Sequence, residues 1–191
     1  MALRFDEYAL AANIGINPVD QFDGLVVEVG LPPGWAPVDS SPGVQVWVWR
    51  GDPGIADFGA NAVLTMNTVE AQLEAVEVFA MLCEQQVQMV PGAVEVHRAS
   101  AVASEGPGLA GSLALTIESQ FGTIGSVSLT RVISGQRQTR IGQLTITALR
   151  DSPVDWDNIW FYVKPGAGSG TTGGGHGGAP ISPPQGGPLE P

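Results

Sequence analysis

The chain has 191 residues, 43% of them apolar and only 14% charged, with a formal net charge of −11. One domain typically takes about 100–200 residues, so a single core is expected. An acidic balance of this size argues against nucleic acid as a partner, because gripping phosphate backbones needs clustered Lys and Arg. No run approaches the roughly 18 apolar residues of a membrane-spanning helix. Cys83 is the only cysteine, which excludes an intrachain disulfide.

Residues Met1 to Tyr8 lack the basic start, apolar stretch and cleavage site of a signal peptide. The expected location is therefore the cytoplasm, with an envelope or secreted location left to a missing leader or a non-classical route. Asp6 caps a short helix from Glu7 to Ala12, and Asn17-Pro18 turns the chain. Leu25 to Leu31 forms a strand stopped by Pro32-Pro33-Gly34-Trp35. Val44 to Arg50 forms a second, with Val44, Val46 and Val48 alternating against Gln45, Trp47 and Trp49. Both of its faces are apolar, so it is either covered on both sides or offers aromatics to a partner. Asn61 to Met66 makes a third strand.

Asn67 followed by Glu70 is a capping-box pattern, and it opens the clearest helical periodicity in the chain. Val69, Leu73, Val76, Ala80, Cys83, Val87 and Val90 recur at spacings of three and four, with Glu70, Glu74, Glu77 and Glu84 elsewhere on the wheel. One long amphipathic helix is expected, ended by Pro91-Gly92, with Cys83 as a small buried hydrophobe. Four strands follow, Val94 to Ala103, Ser112 to Phe121, Thr123 to Ile133 and Thr139 to Leu149. Their short Gly- and Ser-rich separators suit an antiparallel meander. Ser152-Pro153-Val154-Asp155 opens a final helix lined by Trp156, Ile159, Trp160 and Val163.

Lys164 is the only lysine, and the composition changes directly after it. Residues 1–164 form the expected domain. Residues 165–191 are expected to be a disordered tail, since their Gly and Pro content buries too little apolar surface to offset chain entropy. Strands grouped together with few intervening helices indicate an α+β class. The sheet is antiparallel, of about six to seven strands, and flanked by helices.

Three segments carry a family resemblance. The run from Tyr8 to Pro18, the turn Leu31-Pro-Pro-Gly-Trp35, and the run from Asn61 to Asn67 with its amphipathic helix resemble the LpqN/LpqT family of actinobacterial proteins. The match in element order runs from Phe5 to Val163. The resemblance implies a Mog1/PsbP-like fold, usually exported as a lipoprotein and without an established enzymatic role. No signal peptide or lipobox cysteine is legible in these residues, Cys83 lying mid-helix in the expected helix, so the lipid anchor and envelope location are not expected to carry over.

No catalytic constellation is legible. Hydrolysis needs a nucleophile, a base and an orienting acid within reach of one another. His97 projects from the same strand face as Glu95, beside Arg98, and reads as an edge-strand histidine rather than a base. His176 lies in the Gly-rich tail, and no second His or Cys stands at zinc spacing. The tail lacks the Gly-Lys-Ser/Thr ending of a phosphate loop. The loop acids Asp52, Asp57, Asp151, Asp155 and Asp157 show no EF-hand spacing. The expectation is a non-enzyme with neither cofactor nor metal.

Two binding features stand out. Arg131 and Arg140 approach each other if the last two long strands pair across the Ser134 to Gln138 turn, offering an anion site or a solvated strand face. Trp35, Trp47, Trp49, Trp156 and Trp160 are many tryptophans for one domain, and Trp is enriched at binding surfaces, with core packing as the alternative. The leading functional reading is a protein-binding or adaptor domain using an aromatic surface or groove, with Trp47 or Trp49 as anchor. The alternative is a carrier of a small apolar or lipid-like ligand between sheet and long helix.

Overall fold

The computed structural model describes residues 3–166. Helix α1 (Phe5–Ala11) leads into strands β1 (Ile16–Pro18), β2 (Leu25–Gly30), β3 (Trp35–Ser41) and β4 (Val44–Trp49). A one-turn helix α2 (Ile55–Phe58), strand β5 (Asn61–Val69) and helix α3 (Ala75–Met89) follow. The second half is a meander of β6 (Ala93–Val102), β7 (Leu109–Ser119), β8 (Gly122–Ser134) and β9 (Thr139–Leu149), then a 3₁₀ turn (Trp156–Asn158) and β10 (Trp160–Pro165).

Eight strands make one antiparallel sheet in the order β3-β4-β5-β9-β8-β7-β6, with β1 added beside β5; β10 and β2 pair separately. The class is α+β. Alternate residues of a strand share a face. One face of the sheet carries Ala62, Leu64, Met66, Leu144 and Ile146, packed under Phe22, Val27, Val29, Ile159, Phe161 and Val163. The β2–β10 ribbon is its lid. On the other face, Phe5 of α1 and Val78, Phe79 and Cys83 of α3 pack on Leu109, Leu113, Leu115, Val132 and Ile141. Helices α1 and α3 thus both pack on this face.

Several local expectations need correction. Asn67 does not cap a helix: β5 runs on through Val69, because Asn67 and Val69 are paired by β9 on one side and β1 on the other. The Glu70 carboxylate accepts instead from Asn17 Nδ2 at 2.8 Å. Helix α3 begins at Ala75, and its buried stripe is Val78, Phe79 and Cys83, with Ala75 and Leu82 beside it, while Val76 and Ala80 are exposed. A phase counted from Val69 and Leu73, which lie outside the helix, points the wheel at the smaller side chains; the larger apolar area of Phe79 and Leu82 sets the real face.

The expected C-terminal helix is a strand. Trp160-Phe161-Tyr162-Val163 alternates inward and outward, and Phe161 and Val163 are buried opposite Val29 and Val27. Strand β3 was hidden by Pro37 and its serines, which an edge strand tolerates. Finally, α1 starts at Phe5 with Arg4 as its N-cap residue; Asp6 lies inside the first turn and pairs with Arg4. No described helix is long and apolar enough to cross a membrane.

Candidate functional site

The antiparallel register sets Trp35 opposite Trp49 and Pro37 opposite Trp47. All four therefore share one face of the β3–β4 ribbon, and the three indoles are half-buried against the margin of the core. The Trp49 ring is held between two glycines: a Cβ on Gly34 would lie 2.9 Å, and one on Gly51 3.0 Å, from its indole. Gly34 also needs its positive φ of 98°, which a side chain would strain. Trp47 is placed differently. It lines a surface groove of about 530 Å³ together with Pro37, Val38, Asp39, Ser40, Gln45 and Val46. A bulge between Pro37 and Asp39 turns Val38 out beside it. The groove thus combines an indole and aliphatic side chains with amide, hydroxyl and carboxylate groups.

A second aromatic surface was not legible as such in the sequence. On the outer side of the β2–β10 ribbon, Trp160 and Tyr162 stack at 5.2 Å between centroids. The Trp160 indole lies flat on Gly30, close enough that a Cβ there would overlap the ring. Lys164 sits 5.2 Å from the Tyr162 centroid and pairs with Glu28 at 3.0 Å and Glu105 at 3.5 Å. Its hydrogen bond to Glu28 pushes the Lys164 pKa up. The period-two alternation from Trp160 to Val163 was the signal that could have exposed this face.

Arg131 and Arg140 do share a sheet face: Arg131 pairs with Gly142 and Arg140 with Ile133, so they are diagonal neighbours. Arg131, however, is only 3% exposed. One of its terminal nitrogens donates to the carbonyls of Glu105, Pro107 and Val163 at 2.7, 3.0 and 3.3 Å. It ties the 103–108 loop and β10 to the sheet, and burial pushes its pKa down. The Nε atoms of both arginines are buried without a hydrogen bond among the described residues.

His97 and Glu95 do not share a face. A bulge between them puts Glu95 opposite Leu115 on the α3 side and His97 opposite Ala114 on the other. Arg98 is on the Glu95 side and bridges Glu84 and Glu95. Asp52 is a buried loop staple, accepting from the N–H groups of Gly54 and Ala60 and from the Ser152 hydroxyl. Among the described residues no three His, Cys, Asp or Glu side chains gather as a metal site. His176 lies outside the described residues.

No protein-family model matches the chain, and no curated protein does. Among solved structures it is similar to LpqN of Mycobacterium tuberculosis, described as involved in cell envelope biogenesis, at 18% identity and a TM-score of 0.62. The match covers 78% of this chain and 86% of LpqN, so the chain has an LpqN-like fold.

Proposed function

We propose that this chain is a non-enzymatic binding domain that holds an extended segment of another protein in the β3–β4 groove, with Trp47 as its anchor. The observation that carries the reading is the placement of Trp47: three indoles share one ribbon face, and this one lines a groove of about 530 Å³ among apolar and hydrogen-bonding side chains. An aromatic ring at the centre of such a surface offers large apolar area with little rotamer entropy to lose. The likeness to LpqN, a protein involved in cell envelope biogenesis, supports an envelope-related role. The carrier alternative needs room between sheet and α3, and there Phe79 is seated directly on Gly111.

The test uses a photo-crosslinking residue at the exposed position Gln45, followed by identification of the captured protein and measurement of its affinity. Trp47→Ala should stay folded, with a melting temperature lowered by the part of the indole that packs on the core, and should weaken binding by about 2 kcal/mol or more, roughly thirtyfold. Unchanged affinity in the folded variant, or unfolding of Trp47→Ala, would remove the anchor from the reading.

A further inference from the structure

The two edges of the main sheet are treated differently. Edge strands expose unpaired backbone groups, and proteins normally blunt them with proline, charge, bulges or shortness. β3 is blunted by Pro37, by the bulge at Val38 and by Asp39. β6 is ten residues long and has its bulge, at Val96, and its charged residues, Glu95 and Arg98, before Ala99; from Ala99 to Val102 it carries no proline, charge or bulge, and Val102 is 86% exposed.

The direction of its free backbone groups follows from one hydrogen bond. Ala103 N–H donates to Gly108 O at 2.9 Å, in line with the register Val102–Leu109, Ser100–Gly111 and Arg98–Leu113. Bonded and non-bonded pairs alternate in an antiparallel ladder. Ala101, Ala99 and His97 therefore bond to β7, and the N–H and C=O groups of Arg98, Ser100 and Val102 face the open edge, where no described strand pairs with them.

We infer that two copies of this chain join edge to edge through β6, about a two-fold axis at Ser100, extending the sheet across both. Antiparallel pairing of identical strands is self-complementary under a two-fold, which is the commonest symmetry of homo-oligomers. The register centred on Ser100 pairs all three outward residues: Ser100 with the partner's Ser100, and Arg98 with the partner's Val102 in both directions. The aliphatic stem of Arg98, whose head is held by Glu84 and Glu95, then covers the most exposed valine of the strand. Centring on Arg98 sets two guanidiniums against each other, and centring on Ala99 or Ala101 leaves one outward residue facing the bulge or the strand end. A single strand pair buries a small interface, and each copy carries −11, so the dimer is weak and strengthens as salt screens the repulsion.

Sedimentation of the full chain from about 1 µM to about 1 mM should show a rising population at twice 19.8 kDa. That population should be larger at about 0.5 M than at about 0.15 M salt. Ser100→Pro removes an outward N–H without touching the β7 ladder, and should weaken association tenfold or more. Ser100→Asp keeps the backbone and puts two carboxylates on the axis; it should weaken association similarly, and mixing it with Ser100→Lys should restore dimers. Monomer throughout the range for the wild type would overturn the inference. So would wild-type dimerisation of folded Ser100→Asp.

Discussion

Phe79→Ala tests the helix-to-sheet packing most directly. The ring is 3% exposed, sits against Gly111 of β7 and belongs to the cluster with Leu113, Leu115 and Val132. Removing a buried Phe costs about 3–5 kcal/mol, through lost transfer energy and the cavity left behind. With a urea slope of about 2 kcal/mol/M, the unfolding midpoint should fall by about 2 M. Val76→Ala, three residues earlier on the 61%-exposed side, should cost under about 0.5 kcal/mol. Gly111→Ala adds a second constraint: a methyl there overlaps the ring in the wild type but has space once the ring is gone. The two substitutions should therefore couple, with Gly111→Ala harmful alone and mild in the Phe79→Ala background. Equal losses for Phe79→Ala and Val76→Ala, or simple additivity with Gly111→Ala, would show that α3 presents another face to the sheet.

Burial pushes the Cys83 thiol up to about 11. Iodoacetamide near neutral pH should accordingly label it only after unfolding, as mass spectrometry can count. Because the folded value lies above the ordinary 9.0, its contribution to stability is fully present below pH 9 and lost as pH rises toward about 11, visible in chemical denaturation as a function of pH. Asp52→Ala should cost about 1–3 kcal/mol for the orphaned Ala60 N–H, and Asp52→Asn less, by urea titration. Gly30→Val should expel the Trp160 indole and destabilise by about 1–3 kcal/mol, a loss that Trp160→Ala relieves.

The meander from β6 to β9 was legible because hydrophobic alternation and short turn-rich separators are local signals, and each strand pairs with its sequence neighbour. The Trp cluster near Trp47 was legible as composition. Its division into a clamped Trp49 and a groove-lining Trp47 was not, since the glycines that hold one ring and the bulge that opens the groove act only once β3 and β4 are paired. The same limit explains the corrected elements. Asn67 has the chemistry of a helix cap, yet two flanking strands claim its backbone; the segment after Trp156 starts like a helix, yet Phe161 and Val163 gain more by closing the core beside β2. The side chains in question were in plain view, but the partner of each backbone N–H and C=O lies at long sequence separation. Local pattern therefore determined the strands β2, β4, β5 and β6 to β9, the acidic character and the α+β class of this chain. Tertiary pairing alone decided which edge stays open, which tryptophan meets solvent and which arginine is buried.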